Sequence, residues 1–153
     1  VDGSEFKVVP VKTLTHLSSI LYCIMLVDAN IFLAVIMNEP EKSSIIEKTS
    51  NTAIVSPKIL PHEIGNALIA MWKRGRIAPD LLQKYYSLFQ RSQVQLVEVD
   101  IMHALEISRV YNIYAYDAYY LETAMRLKLS LMTLDRKIIH VARELNIQLE
   151  IIE

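Results

Sequence analysis

The chain has 153 residues, 52% hydrophobic and 22% charged, which is enough apolar material for one compact domain and too little length for a second. Lys and Arg number 16 and Asp and Glu 17, a formal net charge of -1, so contact with a polyanion must rest on a local patch or on bound cations. The single cysteine, Cys23, excludes an internal disulfide framework and a thiolate zinc cluster, and it suits a reducing compartment, with the cytoplasm as the default expectation.

Residues 1–6, Val-Asp-Gly-Ser-Glu-Phe, match a linker left by expression cloning across two adjacent restriction sites and are set aside. Residues 7–24 form an N-terminal extension whose native status stays open, because Met25 is itself a candidate start. Residues 17–37 are apolar, with Lys7 and Lys12 ahead of them, which raises a signal peptide or a membrane span. Asp28 and Asn30 argue against both. A central Asp costs about 2.5 to 3.5 kcal/mol in a spanning helix, and the uninterrupted apolar run 20–27 is far short of the ~20 residues a span requires. No membrane association is expected.

Residues 25–153 are expected to form the domain. Short apolar runs alternate there with amphipathic segments, the pattern of a parallel sheet covered by helices on both faces. Strands are predicted at residues 25–27, 53–55, 95–99, 130–133 and 148–151, giving a three-layer α/β/α fold on a five-stranded, mainly parallel sheet. Helices are predicted between them. The first covers residues 31–38 and stops at Glu39-Pro40, and the second covers 41–49. Ile64, Ala67, Leu68 and Met71 follow helical spacing, with Gly75 as a stop. Leu81, Leu82, Tyr85, Leu88 and Phe89 mark a helix begun by Pro79-Asp80. Ile101, Leu105 and Ser108 mark the next, Ala118, Leu121, Ala124 and Met125 another, and Ile138, Val141 and Leu145 the last.

The acidic residues fall at consistent places on this map. Asp28 follows the first strand, Asp135 follows the fourth, and Asp117 opens the helix leading into that fourth strand. In open α/β sheets the ligand crevice lies beyond the carboxyl ends of the strands, so such residues converge there. Glu63 starts the helix after the second strand, on a face shared with Ala67, and reaches the same crevice. Each acid alone has a second reading: the three Asp suit helix N-caps, and Glu63 suits a solvated helix start. Their conjunction is more telling, because carboxylates gathered at one crevice raise each other's pKa unless hard cations neutralise them. All-oxygen ligation of that kind suits Mg²⁺ or Mn²⁺.

The segments Met25-Leu-Val-Asp28-Ala-Asn30-Ile-Phe, Pro61-His-Glu63-Ile-Gly-Asn66-Ala-Leu, Tyr116-Asp117-Ala-Tyr-Tyr-Leu121-Glu-Thr-Ala124 and Leu131-Met-Thr133-Leu-Asp135 resemble the motifs of PIN-domain nucleases. They are most similar to the VapC-type toxins of toxin–antitoxin pairs, from Met25 to the C-terminus in the expected order and spacing. The resemblance places the family's four acids on Asp28, Glu63, Asp117 and Asp135. It implies a metal-dependent ribonuclease, in which Mg²⁺ or Mn²⁺ acidifies the attacking water and polarises the phosphoryl oxygen, with no protein nucleophile. Asn30 stands where the family often has Ser or Thr, and Thr133 matches its usual hydroxyl; both are expected to support the acids. The resemblance also implies a small antitoxin partner and a homodimer.

For RNA, Arg136 and Lys137 beside Asp135 are the nearer phosphate contacts, and Lys73, Arg74 and Arg76 are more distant ones that equally suit the C-terminal dipole of their helix. Tyr111, Tyr114, Tyr116, Tyr119 and Tyr120 crowd Asp117, where packing against the sheet competes with stacking on unpaired bases. His62 is expected on a different helical face from Glu63, and all four histidines are read as structural or surface residues. Three other classes are weighed against the nuclease. A haloacid-dehalogenase-type phosphotransferase needs an Asp at position 30, and a receiver domain needs paired acids after the first strand, which are missing. A non-catalytic RNA- or protein-binding module on the same scaffold would be expected to lack some of the four acids.

Overall fold

The computed structural model describes residues 23–152. The expected linker and all of the N-terminal extension except Cys23 and Ile24 lie outside them. Those two residues open the first strand, β1 (Cys23–Val27), followed by α1 (Ala29–Ile36), α2 (Lys42–Thr49), β2 (Thr52–Pro57), α3 (Leu60–Lys73) and α4 (Leu81–Gln90). The second half runs β3 (Val94–Val97), α5 (Ile101–Tyr111), α6 (Ala115–Leu127), β4 (Ser130–Met132) and α7 (Arg136–Glu144).

Every ladder is parallel and the strand order is β3-β2-β1-β4. The chain thus builds outward from β1 to β3, then crosses back to lay β4 on the other side of β1. The gap between β1 and β4 is the switch point, and the loops leaving these two strands diverge to opposite faces there.

Alternation along the strands divides the core into two layers. Met25, Val27, Ile54 and Met132 face α1 to α4, packing with Phe32, Ile45, Ile64 and Phe89. Leu26, Val55 and Leu131 face α5 to α7, packing with Ala104, Leu121 and Val141. The three-layer arrangement is as expected from the sequence.

The fifth strand is not formed. Residues 148–151 make one isolated bridge, Leu131 to Leu149, with the Leu131 N–H donating to Gln148 O at 2.8 Å and Glu150 N–H to Leu131 O at 3.0 Å. The reason is the length of β4. Successive residues turn their N–H and C=O groups to opposite sides, and Met25 and Val27 of β1 already pair with Ser130 and Met132. A three-residue strand then has one residue, Leu131, to offer its open edge.

A proline in β2 has a local remedy. Asp28 N–H bonds Met132 O on the β4 side, so the carbonyl of Val27 faces β2, where the register makes residue 57 its donor. Pro57 has no N–H. The buried Ser56 hydroxyl donates to Val27 O at 2.5 Å instead, completing the ladder one residue before Asp28.

Candidate metal centre

Asp28 leaves β1 at the position before α1, yet its side chain makes no cap hydrogen bond to that helix's first turn. Its Oδ2 accepts from Thr133 Oγ1 at 2.6 Å and from Asn30 Nδ2 at 2.6 Å. Thr133 comes from the loop after β4, so this contact closes the switch point. Its hydroxyl is fully used: the proton goes to Asp28, and the oxygen accepts Asp135 N–H at 3.0 Å and Asn30 Nδ2 at 3.3 Å. Asn30 also accepts Leu134 N–H on its Oδ1 at 3.1 Å. The Asn30 amide therefore donates to Asp28 and to Thr133 through its nitrogen and accepts from Leu134 through its oxygen, two donations that the single proton of a hydroxyl could not supply.

The other acids come from three helices. Glu63 lies in the first turn of α3, where its Oε2 accepts from Tyr120 Oη at 2.5 Å. Asp117 lies in the first turn of α6, one turn before Tyr120 on the same side. Asp135 caps α7, accepting Lys137 N–H at 2.7 Å and Ile138 N–H at 3.3 Å on Oδ1. The N-cap reading therefore holds for Asp135, whose second carboxylate oxygen is not needed for the cap, and fails for Asp28.

All four acids line one cleft of about 570 Å³. Their charges work against one another. Burial pushes Asp28 up to about 6, with Asp135 and Asp117 adding to the rise and the Thr133 hydroxyl opposing it. Burial likewise pushes Glu63 up to about 7, with Asp28 and Asp117 adding and the Tyr120 hydroxyl opposing. Asp117 is raised by burial and then by Asp135, against the pull of Lys137. The carboxylates share the cleft without closing on a point: among the described residues no three His, Cys, Asp or Glu side chains are close enough to hold an ion as they stand. Oxygen donors that raise one another's pKa in a half-buried cleft fit a hard divalent cation, whose charge would offset their mutual repulsion.

Of the basic residues expected near RNA, Lys137 acts on Asp117 and sits with exposed Arg136 at the start of α7. Lys73, Arg74 and Arg76 are exposed at the far end of α3, about 15 Å along the helix from Glu63 at 1.5 Å per residue. The structure also places residues in the cleft that the sequence reading passed over. His62, expected on another face, lines the cleft with Glu63, as does Asn66 one turn on. Asn66 was legible from its i, i+3 relation to Glu63, and Tyr120 from the same relation to Asp117. Of the five tyrosines, Tyr120 is buried, Tyr111 and Tyr119 pack partly buried, and Tyr114 and Tyr116 stand exposed, with Tyr116 on the cleft wall.

Comparison with solved structures finds the same fold elsewhere. The chain is similar to PAE2754 from Pyrobaculum aerophilum, with TM-score 0.60 and 23% identity over 79% of this chain and 87% of that one. It is also similar to VapBC2 from Rickettsia felis bound to a DNA fragment from their promoter, with TM-score 0.62 and 17% identity over 85% and 99% of the two chains. A toxin–antitoxin complex from Klebsiella pneumoniae gives TM-score 0.52 and 21% identity over 75% and 89%. Comparison with curated proteins gives no match. The PIN domain profile matches residues 25–144, which run from β1 through α7 and include every acid of the cleft, and the chain therefore belongs to the PIN domain family.

Proposed function

We propose that this chain is a divalent-metal-dependent ribonuclease, the toxin of a toxin–antitoxin pair. The observation that carries the reading is the single cleft at the switch point, walled by Asp28, Glu63, Asp117 and Asp135, with the pKa values of Asp28, Glu63 and Asp117 raised. These residues would hold Mg²⁺ or Mn²⁺, which when bound supplies an acidified water and a polarised phosphoryl oxygen for phosphodiester hydrolysis. Thr133 and Asn30 fix the Asp28 carboxylate, so its orientation is set before any ion or substrate arrives. Lys137 and Arg136, in the first turn of α7 beside Asp135, would contact a phosphate of the RNA backbone.

The toxin assignment draws support from the family and from the two similar structures that contain toxin–antitoxin or VapBC proteins. On that reading the partners are RNA, a small antitoxin protein and a second copy of the chain, and the site of action is the cytoplasm. No helix among the described residues is long and apolar enough to cross a membrane. The test is RNA cleavage by the wild type in EDTA, then with Mg²⁺ or Mn²⁺ restored, beside Asp28→Asn and Asp117→Asn. Cleavage is expected only with metal and only in the wild type. Digestion at the parental rate by both variants would overturn the reading.

A further inference from the structure

Tyr120 is 1% exposed, yet it lines the cleft. A buried phenol needs a hydrogen-bond partner, and many find a backbone carbonyl. This one reaches a carboxylate instead, donating to Glu63 Oε2. The phenol therefore ties α6, one turn past Asp117, to α3 at Glu63.

Glu63 has three side-chain torsions to settle, and no other hydrogen bond to its carboxylate is found among the described residues. Asp28 is held by Asn30 at the start of α1 and by Thr133 after β4, and Asp135 by two backbone amides. Glu63 depends on Tyr120.

We propose that Tyr120 is a positioning residue of the metal centre: its hydroxyl commits one oxygen of Glu63 to the phenol and thereby turns the other toward the cleft. The proposal rests on the ribonuclease reading above and deepens it. Losing such a supporting contact at a metal site costs about 10- to 100-fold in metal affinity.

The test is a cycle of wild type, Tyr120→Phe, Glu63→Gln and the double variant, each titrated with Mn²⁺ alone by electron paramagnetic resonance. Urea unfolding in EDTA checks that Tyr120→Phe, which keeps the buried ring, remains folded. Mn²⁺ affinity is expected to fall about 10-fold or more in Tyr120→Phe, with no further fall when that change is added to Glu63→Gln. In RNA cleavage at saturating Mn²⁺, kcat should drop and KM stay put. Equal Mn²⁺ affinity in Tyr120→Phe and the wild type would overturn the proposal while leaving the ribonuclease reading intact. An equal loss with and without the Glu63 carboxylate would also overturn it, since Tyr120 would then act on the fold and not through Glu63. Failure of the wild type to bind Mn²⁺ would overturn both.

Discussion

In metal-free protein, Asp28→Asn is expected to raise stability. The carboxylate sits between β1 and α1 with 5% of its surface exposed, and burial lifts it from an ordinary 3.8 to about 6. At about 1.4 kcal/mol per pH unit, ionised Asp28 costs the native state up to about 3 kcal/mol. The folded carboxyl keeps its proton to about pH 6, whereas the unfolded chain releases it near 4. The native state therefore binds the extra proton between those values, and stability falls as pH rises through that window and stays low above it. Glu63, raised from 4.5 to about 7, adds a smaller descent in the same direction, because it is partly solvated. Replacing Asp28 with Asn removes the charge and leaves a carbonyl oxygen for the Thr133 and Asn30 donors. The gain at pH 8 in EDTA is then about 1 to 3 kcal/mol, or about 2 to 12 °C in Tm for a domain of this size. Thermal unfolding from pH 4.5 to 8.5 measures it, and the gap between variant and wild type should close toward the acid end. Adding Mg²⁺ or Mn²⁺ at pH 8 should stabilise the wild type and not the variant. A variant less stable than the wild type at pH 8 in EDTA, or a gap that ignores pH, would refute the electrostatic account of the cleft.

Three further outcomes test other parts of the structure. Arg126→Ala strips the ion partner from Glu122, whose side chain is 0% exposed and pairs with the partly exposed Arg126 Nε at 2.6 Å, and should cost about 1 to 3 kcal/mol in urea unfolding without changing Mn²⁺ affinity. Ser56→Ala leaves the Val27 carbonyl without its donor in the middle of the sheet and should cost about 1 to 3 kcal/mol by the same measurement. Lys137→Ala removes the cation nearest Asp117, so RNA cleavage should show a raised KM and a shallower dependence on salt, while an unchanged KM would remove Lys137 from the substrate path.

Much of the site was readable from position along the chain. Asp28 and Asp135 each follow an apolar run, and parallel topology sends the ends of such runs to one side of the sheet, so their meeting needed no knowledge of side-chain contacts. The edge of the sheet was harder. Residues 148–151 have strand-like composition, but whether they pair depends on how much open edge β4 presents, and that is a property of the neighbour. His62 was misplaced because adjacent helical positions were assigned to separate faces, whereas the cleft is broad enough to take in both His62 and Glu63. Helix stops were also under-read. Gly75 was recognised, while Asn38, Asn51, Asn112 and Asn146 all take left-handed backbone angles at chain reversals, a role Asn fills through its short polar side chain.

The Asp28–Thr133 hydrogen bond joins residues 105 positions apart, and β4, the strand before Thr133, is the last of the sheet in chain order. During synthesis the first acid must wait for nearly the whole domain before its partner leaves the ribosome. A nascent chain stopped after α6 would carry Asp28, Glu63 and Asp117 but lack the loop that orients the first of them and supplies Asp135. The cleft is therefore completed late in synthesis, by the closing of one long-range contact between the loop after the last strand and the end of the first.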